Sequence, residues 1–504
     1  MLPHRHLVRS ALPLALLTVL AGCAMGPTFT NPDAPADAGY RKDALPAQTS
    51  AVDGVLQGDA QRFINATPVS ARWWTTFNNA ELDRRVDLAL ANSPTIASAQ
   101  AALRQAQANV DATRGGLFPS VDGAAGAIRS KSLQQGFSGS GSATPGGTST
   151  YTIYNAGVSV SYTLDLFGAV RRGVEAQQAV ADAQRYQLAG TYLTLASNVA
   201  TTSFREASLR EQIRSTEEII GLFQEQLDLV QKQFDVGAKS MGDVLQARAQ
   251  VASARAQLPA LRQQLAATQT QLAVYLGQTP ASAELTALSL DAIALPVDIP
   301  VSLPSELVRQ RPDIRAAEAQ LHRATAQVGV ATANLFPQIS LSGSWGSQAI
   351  QGGTDLFGSG TGVWNLGLNL LQPIFRGGTL RAQKRAAEAG LDQASANYRG
   401  TVLTAFQNVA DSLRALELDA QSLAAQAEAE QATASNLDLV KKQYRDGSVN
   451  YLDVLLSTRL YQQARLAVIA ARAARLADTA ALYASLGGGW QQSANMPIQA
   501  STTP

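Results

Sequence analysis

Shifted against itself by about 210 residues, this chain reads nearly the same twice, and that duplication restricts its fold more than any other feature. Gln233-Phe-Asp-Val-Gly-Ala-Lys-Ser-Met-Gly-Asp243-Val-Leu is echoed by Gln443-Tyr-Arg-Asp-Gly-Ser-Val-Asn-Tyr-Leu-Asp453-Val-Leu. The two glycines and the two aspartates keep one offset, 447 − 237 = 210 and 453 − 243 = 210. Leu117-Phe-Pro119 is echoed by Leu335-Phe-Pro337, and Pro94 by Pro312, at 337 − 119 = 218. Each copy reads as a helix, two strand-like runs and a long helical hairpin, so the sequence predicts two internal structural repeats.

The strand-like runs have one apolar face. Val158, Val160, Tyr162 and Leu164 alternate with Ser159, Ser161, Thr163 and Asp165, the period of a strand. In the second copy Ile339 and Leu341 alternate with Ser340 and Ser342, ending near Trp345, and Trp364, Leu366, Leu368 and Leu370 alternate with Asn365, Gly367 and Asn369. A fainter strand begins at Val121, and Gly/Ser-rich loops at about 131–150 and 347–361 read as hairpin loops. Alternation alone cannot say whether the apolar face meets lipid or the helices of a soluble domain.

The helices are unusually long. No proline falls between Pro145 and Pro259 or between Pro373 and Pro497. From Ala169 to Phe234 one helix of roughly 100 Å is possible at 1.5 Å per residue, several times the usual length. Leu209, Ile213, Ile220, Phe223, Leu227, Val230 and Phe234 form a heptad seam, which predicts a coiled coil. The second seam, Leu416, Leu423, Ala427, Ala434 and Leu437, is richer in alanine. Each long helix reverses at Gly237 or Gly447 and returns over about 241–275 or 450–486. Pro259 interrupts the first return helix where the second has Ile469.

His4, Arg5 and Arg9 precede an apolar run from Ala11 to Leu20, too short to span a bilayer as a helix. Leu20-Ala-Gly-Cys23 closes it and resembles a bacterial lipobox, which implies a signal peptide over 1–22 and a lipid on Cys23. Cys23 is the single cysteine in the chain. Ala24, rather than an aspartate, follows it, which implies the outer membrane. Residues 24–70 are rich in proline, alanine and polar residues and read as an extended linker, before Trp73-Trp74-Thr-Thr-Phe77 opens the ordered part. An amphipathic helix is expected from about Leu82 to Arg114, interrupted near Pro94 and stopped by Gly115-Gly116.

Past the signal region His322 is the one histidine. Zinc sites, Cys/His dyads and Ser-His-Asp triads are therefore nearly excluded within one chain, and no catalytic or metal site is expected. His322 reads as a surface or packing residue. A net charge of +1 leaves no nucleic-acid footprint. No segment after residue 22 approaches the length of a transmembrane helix, so a membrane crossing would use strands.

Four strands cannot close a barrel, since spanning barrels start at about eight. Open edges in lipid leave backbone groups unpaired at several kcal/mol each. Strands in the membrane therefore require several subunits to share one barrel. Two would give eight strands and a filled interior; three would give twelve and a lumen.

On Leu20-Ala-Gly-Cys23, Trp73-Trp74-Thr-Thr-Phe77, Leu164-Asp-Leu-Phe-Gly168, Arg311-Pro-Asp-Ile314, Gln372-Pro-Ile-Phe-Arg-Gly-Gly378 and Leu486-Gly-Gly-Gly-Trp490, the chain resembles the TolC-like outer membrane efflux proteins, lipoprotein branch (OprM/NodT type). These motifs span nearly the whole mature chain in the family's order. The resemblance implies an α+β membrane protein: a homotrimer with a twelve-stranded β-barrel, four strands per subunit, continued by a coiled-coil α-helical periplasmic tunnel. Its expected parts are a signal peptide (1–22), a lipid-anchored linker (23–72), repeat 1 (73–290), repeat 2 (291–490) and a C-terminal tail (491–504). The strand pairs fall at about 120–165 and 338–374, and the helical hairpins at 169–275 and 377–486.

The resemblance further implies the passive exit duct of a tripartite pump in the outer membrane. A periplasmic adaptor and an inner-membrane transporter, commonly of the resistance-nodulation-division class, would be its partners, and the lipid on Cys23 its only attached group. Asp453, Asp243 and Tyr444 fall on the family's channel-gate positions, while Val449 and Leu456 stand where TolC itself has an arginine and an aspartate. Asp243 and Asp453 also stand in first helical turns, where any carboxylate is favoured by about 0.3–1 kcal/mol, so a purely structural role is the alternative reading. Val236, Gly237, Ser240, Gly447 and Ser448 would be the adaptor-contact tips. Two other readings share these features: a lipid-anchored structural coiled-coil envelope protein and a duct for type I protein secretion.

Overall fold

A computed structural model describes residues 24–33, 39–65, 69–133, 148–350 and 355–490. Residues 1–22, expected as a signal peptide, Cys23, residues 491–504, expected as a tail, and part of both Gly/Ser-rich loops lie outside the described residues. The chain divides into two units, one containing Arg104–Asp182 and Glu318–Asn397 with the N-terminal residues up to Asn31, the other Pro32–Leu103, Ala183–Ala317 and Tyr398 onward.

Elements in chain order are β1 (Arg62–Asn65), a 3-10 turn (Trp73–Phe77), α1 (Ala80–Asn92), α2 (Pro94–Gly115), β2 (Ser120–Leu133), β3 (Thr148–Leu164), α3 (Ala169–Asp235) and α4 (Met241–Tyr275). There follow β4 (Asp298–Val301), α5 (Pro304–Gln310), α6 (Pro312–Ala333), β5 (Gln338–Ile350), β6 (Gly362–Leu371), α7 (Thr379–Arg445) and α8 (Tyr451–Ser485). α3 and α7 both have 67 residues, and α4 and α8 both have 35. Among the described residues no helix is long and apolar enough to cross a membrane.

The first unit is built on a four-stranded antiparallel sheet in the order β2-β3-β5-β6. Its register brings the alternating residues of all four strands into step. Val121, Val160, Gly343 and Leu366 lie abreast, followed by Val158, Trp345 and Trp364 in one direction and Tyr162, Leu341 and Leu368 in the other. The opposite face carries Ser120, Ser161, Ser342 and Gly367 in one row and Asp122, Ser159, Ser344 and Asn365 in the next. A slip of one residue in any strand would mix the two faces. The apolar face is uncovered: Leu366 is 73% and Trp364 76% exposed. Among the described residues β2 and β6 each have one hydrogen-bonded neighbour, so both edges of the sheet are open there.

The strands run further than their glycine and serine content suggested. β3 is described from Thr148 onward, and its first residues, Thr148-Ser-Thr-Tyr-Thr-Ile-Tyr154, are rich in β-branched and aromatic residues. In the same unit the N-terminal segment is held along α3. The Met25 amide donates to the Phe167 carbonyl (3.1 Å), Arg172 Nε donates to the Met25 carbonyl (3.3 Å), and Phe29 stacks on His322 at 4.4 Å. His322 also pairs with Glu175 at 2.8 Å, so it is a packing residue.

In the second unit the two helical hairpins pack on each other. Tyr451 and Leu455 of α8 join Ile219, Phe223, Val230 and Val244 of the first hairpin in one apolar cluster. Ile219, rather than the expected Ile220, is the fully buried seam residue; Ile220 packs at the cluster's margin. Along α7 the buried positions Val402, Ala405, Val409, Leu413, Leu416, Ala420 and Leu423 step by three or four, as a coiled-coil seam requires. Pro259 lies inside α4 without ending it.

Residues 39–65, expected as an extended linker, are instead laid into this unit. β1 pairs in parallel with β4, from Arg62↔Asp298 to Asn65↔Val301. The fully buried Arg475 of α8 donates to the carbonyls of Gln57 (2.6 Å) and Asp59 (2.7 Å) and to Thr49 Oγ1 (3.1 Å). Backbone carbonyls that an unstructured linker would leave to water are thus satisfied by one guanidinium. Beside it, burial and the neighbouring Asp478 push the Asp419 carboxyl up to about 7, against the pull of Arg475.

A carboxyl raised by folding stabilises most where it is protonated, and that contribution is lost as pH rises through its folded value. Thermal stability should therefore fall between about pH 4 and pH 7 through this pair. Asp419→Asn, neutral at every pH, should flatten the fall, and melting curves of both proteins across that range check it.

Candidate functional site

The two hairpin tips are built alike. The Gly237 amide donates to the Phe234 carbonyl and the Ala238 amide to the Gln233 carbonyl, both at 2.8 Å. At the second tip Gly447 donates to Tyr444 (3.1 Å) and Ser448 to Gln443 (2.9 Å). This paired pattern closes a helix on a left-handed residue, and Gly237 and Gly447 have φ of 78° and 74°, which a side chain disfavours. Each return helix then begins with a capping box. Ser240 accepts from the Asp243 amide while Asp243 accepts from the Ser240 amide (2.9 Å). Asn450 and Asp453 repeat the exchange at 3.1 Å in both directions.

Both aspartates singled out as gate positions thus have a local duty as capping partners, each closing the reciprocal bond of its capping box. Hydrogen bonds from Ser240 hold the exposed Asp243 carboxyl below its ordinary range, with a smaller contribution from Lys239. The sequence carried the signal, Ser-x-x-Asp and Asn-x-x-Asp ahead of an apolar run.

Tyr444 sits at the contact between the hairpins. Its hydroxyl bonds Gln233 Oε1 at 3.2 Å, its ring lies 6.0 Å from that of Tyr451, and Lys239 Nζ stands over it at 5.6 Å. Burial and then the Asp243 charge push its phenol up, opposed by the Gln233 bond. Tyr444, Asp243 and Lys239 therefore form one group in a single chain. The Asp453 carboxylate accepts from the amide of its own cap residue, Asn450, at 3.1 Å. Val236 is 80% exposed at the first tip, and Gly237, Ser240, Gly447 and Ser448 surround the two turns.

One feature of the tips escaped the sequence reading. Leu452, Leu456 and Leu460 lie one helical turn apart on α8 and are all exposed. Their spacing was visible, but the same spacing marks a buried face in any amphipathic helix. Here the neighbouring buried stripe is Tyr451, Val454, Leu455 and Thr458, so the helix is apolar on two sides, one of them uncovered.

The family motifs outside the tips have structural duties as well. Arg311 ties the start of α6 to the end of α8 by donating to the Ser485 carbonyl (2.7 Å), and its Nη2 pairs with Asp313 (2.6 Å). Trp73 stacks on Tyr483 at 5.6 Å.

Comparison with known proteins agrees with this architecture. A family model described as "Outer membrane efflux protein" matches residues 86–278 and 303–488. The pyoverdine export outer membrane protein OpmQ of Pseudomonas aeruginosa is 34% identical over 422 residues, 83% of this chain and 88% of that protein. The toluene efflux pump outer membrane protein TtgI of Pseudomonas putida is 31% identical over 490 residues, 96% of this chain and 99% of that one. The solved structure of the outer-membrane channel OprN is similar with a TM-score of 0.81 at 29% identity, covering 93% of this chain and all of that one.

Proposed function

The chain belongs to the outer membrane efflux protein family, and on that premise we propose that it is the outer-membrane exit duct of a tripartite efflux pump. The working form is a homotrimer in which β6 of one subunit pairs with β2 of the next, closing twelve strands around a lumen. The observation that carries this reading is the open sheet with one continuous apolar face and one serine- and asparagine-rich face. Lipid tolerates the first face and a water-filled lumen the second, but neither open edge can remain in lipid unpaired.

The duct is passive, with a helical periplasmic part, and energy comes from an inner-membrane transporter of the resistance-nodulation-division class. A periplasmic adaptor meets the tips at Val236, Gly237, Ser240, Gly447 and Ser448. Cargo is small molecules; OpmQ and TtgI carry different compounds in their names, which supports selection upstream of the duct. No reaction is catalysed and no cofactor is needed beyond the lipid on Cys23. Cys23→Ser should abolish incorporation of labelled palmitate, and persistent labelling would refute the lipoprotein assignment.

Purified full-length protein in mild detergent should be trimeric by light scattering corrected for detergent, and should conduct in planar bilayers. A stable, folded monomer would defeat the shared barrel. At the entrance, threefold symmetry brings the Asp453 carboxylates around one axis, where they attract cations. Asp453→Ala should weaken block by divalent cations, and adding Tyr444→Ala should raise resting conductance by loosening the contact with Gln233. If trimers of all three proteins conduct alike, Asp453 is a capping residue alone.

A further inference from the structure

The polar face of the sheet changes character toward the hairpin ends of its strands. Ile128, Ile153 and Ile350 are paired abreast there, and by strand parity they share the face of Ser159, Ser161 and Ser342. Ile128 is 59% and Ile350 65% exposed, so both are reachable by a solute. Four residues further along the strands, Gly157 and Gly346 pair so closely that side chains cannot fit. A Cβ on Gly346 would lie 2.5 Å from the Ala156 carbonyl oxygen, and one on Gly157 2.9 Å from that of Trp345.

The glycines leave a depression of about 340 Å³ whose lining includes Ile128, Ile153 and Val363, edged by Asn155, Ser344 and Gln348. Its volume falls in the range of small-molecule sites. None of its lining residues is charged, so the depression offers no counter-charge to an ionic solute. Serine and asparagine, which line the same face elsewhere, would have kept it uniformly wet; three isoleucines in one row do not.

We propose that the isoleucine row and its glycine-floored depression form an apolar contact site for neutral, ring-sized cargo near the outer end of the duct. The proposal rests on the reading of this face as the lumen. Threefold symmetry would then repeat the row around the exit as a collar. A neutral solute leaving the helical part would lose hydration against the isoleucines before release, while ions would gain nothing there.

The test uses full-length trimers in phosphatidylcholine bilayers, irradiated with the neutral photoprobe 3-trifluoromethyl-3-phenyldiazirine and mapped by mass spectrometry. Label is expected at Leu366 and Leu368 through the lipid, and separately at Ile128, Ile153 and Ile350, with Ser159 and Ser342 at background. Ile153→Asn with Ile350→Asn should lower labelling of the row on the order of tenfold and leave Leu366 unchanged. If the pair fails to assemble, Ile350→Asn alone gives the same comparison.

An unlabelled isoleucine row beside a labelled Leu366 would overturn the site while leaving the barrel reading intact. So would undiminished labelling in assembled variants. Labelling of Ser159 and Ser342 as strong as that of Leu366 would instead remove the lumen assignment, and the site with it.

Discussion

Arg85→Ala is expected to destabilise the protein by about 3–5 kcal/mol, because it strands a buried charge. Arg85 and Glu206 are both fully buried and meet at 2.8 Å. Arg85 also donates to Ser203 Oγ (3.1 Å), the Thr286 carbonyl (2.6 Å) and Glu81 (3.0 Å), tying α1, α3 and the segment after α4 together. Glu206 keeps Arg210 at 2.7 Å after the substitution, yet loses the partner that shares its burial. Guanidinium denaturation followed by helical circular dichroism should show the midpoint fall sharply. Arg85→Met combined with Glu206→Gln should recover part of the loss, since removing both charges leaves neither uncompensated. Equal midpoints for wild type and Arg85→Ala would mean that water reaches the site and solvates Glu206.

A charge on the apolar face of the sheet should have an effect of similar size. Arginine at Leu366, or lysine at Val160, should cost about 2–4 kcal/mol near the bilayer midplane. The same lysine at Ser161, on the opposite face, should be tolerated because it points into water. Migration of unboiled protein on a denaturing gel gives the readout: the trimer band should vanish for Leu366→Arg and Val160→Lys and persist for Ser161→Lys. Equal losses on the two faces would indicate a sheet buried on both sides and would count against the barrel.

Much of the architecture was open to a reading of residues because it depends on period. Proline-free runs and seam positions such as Phe223 and Val230 mark the long helices, and alternation from Val158 to Leu164 marks a strand whose partners repeat it in register. What could not be read depends on distant parts meeting. β1 and β4 are four residues each and pair across more than two hundred positions, so neither has a period to detect. Nothing in the sequence marks Arg85 and Arg475 as buried, since arginine is seldom fully buried unless paired. The tips were legible as turns, but whether Asp453 caps or gates was not, because both uses place a carboxylate in the same first turn. The open edges of the sheet follow from counting strands, whereas the isoleucine row needs the pairing of three strands to be seen.

Pro259 gives the two hairpins different mechanics. Inside α4 it has no amide to offer the carbonyl of Arg255, so one rung of that helix is missing. The matching position in α8 is Ile469, buried, with its backbone ladder intact. A bending load on the two return helices is therefore shared unequally. α4 has one weak point about midway along its length, and α8 has none at the matching place. A load at the first tip should therefore bend α4 at Pro259 more readily than the same load at the second tip bends α8.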